Sequence, residues 1–233
     1  MFSKSEELYD AVYSWKDYDA ESDRLHALIE ERNPGARTLL DVACGTGTHL
    51  ARLAPWYEVE GVDLDAKMLE LARRKVPDAR LEVADMVSLE LGRSFDVVTC
   101  LFSSIGYAGS VERLRQAVAA MASHLTPGGV LVVEPWFTPE QWHPGHPHML
   151  TIDEPDLKIA RVNLSGREAR MAILDFTYVV GTPEGVEVFT ERHKAVLATD
   201  EECREAFEAA ALVVERDEQG LMGRGLWIGR RPG

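Results

Sequence analysis

The sequence predicts an α/β fold in which a parallel sheet carries helices on both faces. Between residues 21 and 133, short apolar runs typical of buried strands alternate with segments whose apolar residues recur at helical spacing. Acidic side chains follow three successive predicted strands, and turn residues separate each strand from the next helix. Such alternation is typical of βα units wound into one sheet. The 233 residues suffice for one domain with a substantial core.

Each helix of this first half has a recognisable start, stop or apolar face. The segment 21–31 ends at Asn-Pro-Gly (33–35), and the segment 65–76 ends before Pro77. Within 111–125, Leu114, Val118 and Met121 share one helical face. The predicted helices are 21–31, 49–54, 65–76 and 111–125. The predicted strands are 38–43, 57–62, 81–83, 95–102 and 130–133.

The pattern changes after Glu134. Residues 135–155 are rich in Pro, Trp and His and predict a loop or lid. Glycine-containing turns separate three strand-like runs, which predicts antiparallel hairpins over 157–164, 171–180 and 186–197. A helix (200–211) and two strands (212–215 and 226–229) follow. We therefore expect a single domain over 1–233, with a lid and antiparallel β insertion over 135–198, after the fifth strand.

The composition excludes several classes of function. Lys and Arg number 25 against 39 Asp and Glu, and the net charge of −14 disfavours non-specific nucleic-acid binding. Residues 1–18 have no apolar signal core, and no run approaches the length of a membrane span. Cys44, Cys100 and Cys203 are scattered and odd in number, which favours reduced thiols and a cytoplasmic location.

The most informative motif is the loop Asp-Val-Ala-Cys-Gly-Thr-Gly (41–47), between a predicted strand and a predicted helix. Glycines let a ligand approach the backbone, and the next helix begins with free N–H groups. A phosphate-binding P-loop requires Gly-Lys-Ser/Thr, but Thr48 and His49 follow Gly47. The dinucleotide fingerprint requires a third glycine where Leu50 stands, which weakens an NAD interpretation. An Asp-x-x-x-Gly-x-Gly loop is the third possibility.

Three acidic residues lie where a ligand would bind in such a sheet. Asp41, Asp63 and Asp85 end the first three predicted strands, whose carboxyl ends meet at one edge. Each has a structural alternative, respectively a helix cap, a solvated turn and an Asx-turn. Their order together with the glycine loop favours a binding site. Asp63 is spaced to accept hydrogen bonds from a ribose diol.

The glycine loop resembles the signature of class I S-adenosylmethionine (SAM)-dependent methyltransferases. A narrower resemblance covers nearly the whole chain. Its segments are Glu-Leu-Tyr-Asp (7–10), Leu-Asp-Val-Ala-Cys-Gly-Thr-Gly-Thr-His-Leu (40–50), Phe-Ser-Ser-Ile-Gly (102–106), Val-Val-Glu-Pro-Trp-Phe (132–137) and Gly-Arg-Gly-Leu (223–226). Together they look like the bacterial dTDP-3-amino-3,6-dideoxyhexose N,N-dimethyltransferases, which make dimethylamino sugars such as desosamine and mycaminose for antibiotics. The chain departs from that pattern at Tyr107, where the family often has His, and in the sequence of its lid.

The resemblance implies a Rossmann-like class I methyltransferase sheet that binds SAM and releases S-adenosylhomocysteine. Asp85 and Met86 would form the adenine pocket, and the N-terminal segment would fold over the cofactor. The implied cofactor residues are Tyr9, Tyr18, Asp41, Ala43, Gly45, Thr46, Gly47, Asp63, Leu64, Met68, Asp85, Met86 and Leu101.

The resemblance also implies an amine acceptor, most simply a dTDP-linked 3-amino-deoxysugar, and a monomer or homodimer. Tyr107 and Glu134, at the ends of the fourth and fifth strands, are the candidate catalytic residues. Tyr107 could orient the amine or pass a proton to water, because a phenol with a pKa near 10 is a poor base. Arg224 suits a diphosphate, since guanidinium binds phosphate bidentately. The implied acceptor residues are Ser103, Ser104, Tyr107, Glu134, Trp136 and Arg224.

Other interpretations remain open. His143, His146 and His148 lack the pattern of a metal site, and a lid is favoured over metal binding. Cys44 is read as a small loop residue rather than a nucleophile, and His193 is ambiguous. The alternative functions are methylation of another small amine, hydroxyl or carboxylate, and a non-catalytic SAM-binding module, with an NAD reductase least favoured.

Overall fold

We describe the fold from a computed structural model, and the description covers residues 5–233. The first four residues, part of the segment in which the sequence predicts no signal core, lie outside the described residues. Two sheets, of seven and four strands, make up the β structure of the described chain. The helices are α1 (Tyr9–Val12), α2 (Tyr18–Arg32), α3 (Thr48–Leu53), α4 (Ala66–Lys75), α5 (Val111–Ser123) and α6 (Asp200–Ala209).

The seven-stranded sheet has two strands antiparallel to the rest. Its strands are β1 (Thr38–Val42), β2 (Glu58–Asp63), β3 (Arg80–Val83), β4 (Phe95–Cys100), β5 (Leu125–Val133), β10 (Val213–Asp217) and β11 (Leu226–Arg230). They are ordered β10-β11-β5-β4-β1-β2-β3, and β1 to β5 run parallel. β11 is antiparallel to both β5 and β10. The parallel sheet predicted from the first half of the chain is confirmed for β1 to β5, and β10 and β11 add an antiparallel edge to it.

The four-stranded antiparallel sheet follows β5 in the chain. Its strands are β6 (Pro147–Glu154), β7 (Leu157–Glu168), β8 (Met171–Thr182) and β9 (Gly185–Val196), paired in chain order. This confirms the predicted antiparallel insertion after the fifth strand. The prediction of a loop or lid over the whole of 135–155 is wrong, because β6 occupies part of it. Pro147 opens this edge strand, a position that proline tolerates.

The two faces of the inserted sheet differ in an unusual way. Large apolar side chains on the outward face stay exposed: Met149, Val162, Leu164, Val179, Val186 and Val188. The alternate positions on β7 to β9 face inward, where Ile159, Phe176, Tyr178 and Val180 form a small core with Val12 of α1. α1 is thereby attached to the insertion, although it precedes the whole seven-stranded sheet in the chain.

Local signals account for the helix boundaries. α2 starts three residues before the predicted 21, because Asp17 caps it by accepting the Ala20 N–H at 3.0 Å. α6 starts with a capping box between Thr199 and Glu202. α5 ends at Ser123 instead of 125, since Leu125 already pairs with Phe95 to open β5. Among residues 5–233 we find no helix with the length and apolar character needed to cross a membrane.

Candidate active site

The strand order reverses between β1 and β4, which lie side by side although β2 and β3 separate them in the chain. A crevice opens at the carboxyl ends of strands at such a point. The glycine loop follows β1, and a 3-10 helix over Ser104–Ala108 follows β4. Both segments line one cavity of about 350 Å³.

A hydrogen bond between two strand ends shapes the glycine loop. Gly45 donates its N–H to Asp63 Oδ2 at 2.8 Å, and Asp63 Oδ1 accepts the Asp65 N–H at 2.9 Å. Gly45 has a positive φ of +56° with open space where a Cβ would stand. At Gly47, φ is +74° and a Cβ would lie 2.9 Å from that of Ala72 in α4. Gly47 thus permits close helix packing, whereas Gly45 leaves room for a ligand.

A strained turn follows β4. Phe102 and Ser103 adopt φ values of +51° and +59°, which side chains other than glycine rarely adopt. Glu134 Oε2 accepts the Phe102 N–H at 2.7 Å, and Ser103 Oγ donates to the Pro135 carbonyl at 2.6 Å. The end of β5 therefore holds this turn in the conformation that presents the 3-10 helix to the cavity.

One end of the cavity is acidic and apolar. Asp63, Leu64 and Met68 line it beside Asp85 and Met86. Asp85 also forms an Asx-turn, since Oδ1 accepts the Val87 N–H at 2.9 Å. Burial raises the pKa of Asp63. The hydrogen bonds that its carboxylate accepts from backbone N–H groups oppose this shift. A ligand with hydroxyl groups and a flat ring, without phosphate, suits this end.

A smaller cavity of about 30 Å³ adjoins this end, beneath the glycine loop. Asp41 lines it and accepts the Thr99 hydroxyl at 2.7 Å, while burial raises the pKa of Asp41 to about 7. Tyr18 and His49 also line it. Glu21 accepts from Lys16 and lies 3.0 Å from His49 Nε2. The Asp41 carboxyl group therefore lines this space, and the buried Lys16–Glu21 ion pair lies behind it against His49.

The opposite end of the cavity combines the 3-10 helix with the inserted sheet. Tyr107 Oη lies 2.8 Å from His193 Nδ1 on β9. The guanidinium of Arg161 on β7 lies 4.8 Å from the Phe176 ring, and its buried Nε has no hydrogen-bond partner within residues 5–233. Further inward side chains of the sheet complete this wall: Asn163, Leu174 and Phe176.

Arg224 enters the same end from the loop before β11. Its guanidinium lies 5.2 Å from the ring of Trp136 and 4.8 Å from that of Phe137, and Nη1 donates to Ser103 Oγ at 2.8 Å. Burial lowers the pKa of Arg224, and the nearby Glu134 carboxylate opposes this shift; a guanidinium group stays charged in proteins. This end of the cavity therefore offers two guanidinium groups and aromatic faces to a ligand.

The structure brings together most of the residues that the sequence analysis singles out. The larger cavity is lined by Tyr9, Ala43, Gly45, Asp63, Leu64, Met68, Asp85, Met86, Ser104, Tyr107, Trp136 and Arg224. The smaller cavity is lined by Tyr9, Tyr18, Asp41, Ala43, Gly45, Thr46, Leu101 and Ser104.

Three of these residues lie elsewhere. Gly47 packs against α4, and Ser103 holds Arg224 from behind the lining. Glu134 is wholly buried, and its Oε1 has no hydrogen-bond partner in the described part of the chain. Glu134 therefore lies behind the lining of both cavities, and its other oxygen, Oε2, accepts from the Phe102 backbone. Burial raises the pKa of Glu134.

Sequence reasoning missed the wall that the insertion supplies. Arg161 and Asn163 alternate with the outward Val162 and Leu164, so polar side chains point inward and apolar ones outward. This inverted alternation is the sequence signal from which the polar wall of the cavity could have been predicted. The sequence analysis also missed Lys16, because a lysine shortly before a helix carries no distinctive pattern.

The remaining sequence candidates fall outside the cavities or are inert. Burial raises the pKa of the Cys44 thiol well above its usual value, so the group is a poor nucleophile. His143, His146 and His148 are exposed. In residues 5–233 no group of three or more His, Cys, Asp or Glu side chains could hold a metal ion.

Comparison with known proteins identifies the family. A family described as a methyltransferase domain matches residues 39–129. The chain is 44% identical over 227 residues to the dTDP-3-amino-3,6-dideoxy-alpha-D-glucopyranose N,N-dimethyltransferase of Streptomyces fradiae, which covers 96% of this chain and 89% of that protein. The crystal structure of Streptomyces venezuelae DesVI matches with a TM-score of 0.93 at 40% identity and covers 100% of both chains.

A second solved structure matches along almost the whole chain. CalS10, an amino pentose methyltransferase from Micromonospora echinaspora solved with SAM bound, has a TM-score of 0.88 at 38% identity, with 99% and 98% of the two chains covered. The chain is therefore a class I, SAM-dependent N-methyltransferase and belongs to the family of dTDP-aminosugar N,N-dimethyltransferases.

Proposed function

We propose that the enzyme methylates the amine of a dTDP-linked 3-amino-deoxysugar, twice in succession. The observation that carries this proposal is the pair of half-buried guanidinium groups, Arg161 and Arg224, at the end of the cavity that also holds Tyr107. The chain as a whole has a net charge of −14, so two cations in one pocket point to an anionic ligand. A nucleoside diphosphate on the acceptor meets that requirement.

The residues at the other end fit the cofactor. A nucleoside without phosphate needs hydrogen-bond acceptors and apolar contacts, which Asp63, Asp85, Leu64 and Met68 offer. Arg113, the one guanidinium lining that end within residues 5–233, is already 3.3 Å from Asp85. When bound, SAM supplies a methyl group made electrophilic by the sulfonium.

We assign the cofactor residues by this fit. Asp63 would accept the ribose hydroxyls, and Asp85 with Met86 would hold the adenine. The small cavity under Gly45 would take the amino-acid tail, because Asp41 lines it and can meet the ammonium. The Lys16 ammonium lies 4.8 Å from the ring of Tyr18, which also lines this cavity, and would favour the carboxylate of the tail. Tyr9 and Tyr18 would close this end from the N-terminal segment.

The acceptor residues have distinct roles in the proposal. Arg224 would grip the diphosphate, and Trp136, whose ring that guanidinium already covers, would shape the nucleotide site. Tyr107 would orient the amine for in-line attack, because holding two reactants in such geometry contributes about 7–11 kcal/mol to lowering the barrier. Glu134 would position the turn after β4, and Ser103 would position Arg224.

A direct assay tests the proposal. The protein is incubated with SAM and dTDP-3-amino-3,6-dideoxyglucose, and the products are resolved by mass. We expect the monomethylated amine first and the dimethylated amine later. Absence of methylated product across several dTDP-amino sugars, including an amino pentose, would exclude this acceptor class. A screen of other amines, hydroxyls and carboxylates that reads S-adenosylhomocysteine release would then find the acceptor.

We also propose that the enzyme works in the cytoplasm as a homodimer. All three cysteines, Cys44, Cys100 and Cys203, are free and buried, and unpaired cysteines are typical of a reducing compartment. The outward face of the inserted sheet exposes aliphatic side chains on three adjacent strands, including Leu164 at 55% and Val188 at 63% exposure. An exposed apolar patch of this kind matches a second copy of itself around a twofold axis.

A further inference from the structure

Tyr107, His193 and Glu191 form a row that runs from the cavity into the inserted sheet. Tyr107 Oη lies 2.8 Å from His193 Nδ1, and His193 Nε2 lies 3.5 Å from Glu191 Oε2. Glu191 is itself held, since its two oxygens accept the backbone N–H and the hydroxyl of Ser5 at 3.2 and 2.7 Å. Tyr107 and His193 line the cavity, whereas Glu191 is buried behind them.

The chemistry of the three groups assigns the protons along this row. A carboxylate only accepts, so the ring proton of a neutral His193 belongs on Nε2, towards Glu191. Nδ1 is then the acceptor for the Tyr107 hydroxyl. Burial raises the pKa of Tyr107, which keeps its proton, and burial lowers the pKa of His193, which keeps the imidazole neutral. Arg161 faces the same imidazole and also lowers the pKa of His193.

Close packing fixes the distance between the 3-10 helix and β9. A Cβ on Gly106 would lie 3.1 Å from Ala195 Cβ and 3.2 Å from Trp136 Cβ. Ala195 shares one face of β9 with His193, because side chains two residues apart on a strand point the same way. The missing side chain at residue 106 thus lets Tyr107 reach the imidazole.

We infer that this row removes the proton that the acceptor amine must lose at each methylation, an inference that rests on the proposed function. The amine gives a proton to Tyr107 Oη while the hydroxyl proton of Tyr107 passes to His193 Nδ1. One N–H and one O–H bond break, one O–H and one N–H bond form, and Tyr107 ends neutral. The imidazolium so formed faces the Glu191 carboxylate, which stabilises its charge. The imidazolium then releases this proton to water before the next methylation, so no oxidant, reductant or further co-reactant is needed.

Removal of a proton by this row matters most for the second methylation. After one transfer the nitrogen is a charged secondary ammonium, and it regains a lone pair only by losing a proton. The positive charges of Arg161 and Arg224 in the same pocket favour the loss of that proton. Tyr107 and His193 therefore act as catalytic residues, and Glu191 acts as a positioning residue.

Substitution of His193 by Gln tests the inference, because an amide can bond to Tyr107 but cannot hold a transferred proton. General acid–base catalysis contributes typically 10²–10⁴-fold, so we expect kcat to fall about 100-fold in H193Q, with acceptor KM and SAM affinity by calorimetry changed less than about threefold. The monomethylated product should accumulate. His146→Gln, an exposed histidine outside the cavity, is the matched control. Glu191→Gln should give a smaller loss.

Further readouts separate proton transfer from folding and from the function itself. Tyr107→Phe should cost as much as H193Q, and the double variant no more than either alone, because the two residues act in one path. Nitrogen-15 NMR of the cofactor-free protein should show His193 as the Nε2–H tautomer. Unchanged kcat and product ratio in H193Q, additive losses in the double variant, or an Nδ1–H tautomer would overturn the inference. Absence of any methylated amine with the unmodified enzyme would instead overturn the proposed function.

Discussion

The carboxylate of Asp63 accepts the N–H of Gly45 at 2.8 Å and so joins the end of β2 to the loop after β1. The loop is held open by a residue that also lines the cavity. The side chain that would bind the ribose is therefore the one that shapes the glycine loop.

Replacement of Asp63 should weaken cofactor binding more than it weakens the fold. Asp63→Asn keeps an oxygen for the Gly45 N–H but loses the charge offered to the ribose. Hydrogen bonds to charged groups contribute about 1.5–3 kcal/mol, so we expect a roughly 10- to 100-fold higher Kd for S-adenosylhomocysteine by calorimetry. Asp78→Asn, at an exposed turn, is the control. Equal affinities in the two variants would contradict the ribose assignment.

The stability of the ligand-free enzyme should depend on the proton of Asp41. Burial raises the pKa of Asp41 to about 7, whereas an unfolded Asp titrates near 3.9. The contribution of protonated Asp41 to the free energy of unfolding is complete below about pH 4 and is lost as the pH rises through about 7. Relative to Asp41→Asn, the wild type should lose on the order of 2 kcal/mol of unfolding free energy between pH 5 and pH 8.

Urea denaturation of both proteins at the two pH values measures that difference. The variant keeps an amide oxygen for the Thr99 hydroxyl, so the comparison isolates the ionisation. A difference between wild type and Asp41→Asn that is flat across this range would show that Asp41 is ionised throughout.

Loss of Arg224 should affect the acceptor and spare the cofactor. Arg224→Ala should raise KM for a dTDP-amino sugar about 10- to 100-fold, because a charged contact to phosphate is lost. Cofactor affinity should stay within twofold. Arg230→Ala, exposed at the end of β11, is the control. Ser103→Ala should give a smaller rise in KM, since it removes one contact that holds the guanidinium.

The two glycines of the loop should respond differently to alanine. At Gly47 the added Cβ meets Ala72 Cβ at 2.9 Å, so strain and overpacking together should cost about 2–4 kcal/mol of unfolding free energy. At Gly45 the space is open, and conformational strain alone should cost about 1 kcal/mol. Urea denaturation measures the free energy of unfolding of both variants and shows which loses more. A larger loss in Gly45→Ala would contradict the packing role of Gly47.

The dimer proposal predicts a mass of twice 26.0 kDa by light scattering. Val188→Glu places a charge on the outward face of the inserted sheet and should yield a folded monomer. Val213→Glu, at a residue of similar exposure on the edge strand β10, should leave the mass unchanged. A monomeric wild-type protein would refute the proposal.

Most of the seven-stranded sheet could be predicted from sequence, and so could the end of the cavity that would bind the methyl donor. Buried parallel strands are continuous apolar runs, and the acids that end them stand next to those runs in the sequence. Asp63 and Asp85 were located in this way. The antiparallel edge could not be inferred, because a short strand such as β11 reads the same in either direction.

The acceptor end was harder for a physical reason. Its residues meet only after the insertion folds back over the sheet, so His193 stands 86 positions from its partner Tyr107. In the middle of β7 the apolar Val162 and Leu164 face outward while Arg161 and Asn163 face the cavity, which reverses the usual interpretation of alternation. Glu134 presents a different difficulty. Its place at the end of a strand predicts a position in the pocket, but its carboxylate accepts the Phe102 N–H of a strained backbone turn.

The two walls of the cavity come from different stretches of the chain, the donor wall from β1 to β3 and much of the acceptor wall from β7 to β9. A change at residue 161, 163 or 174 alters the pocket for the amine without touching the loop at Gly45. Natural selection can therefore retune which sugar is modified while the methyl donor site is inherited unchanged. The same separation gives an engineer a bounded set of positions at which to diversify this enzyme.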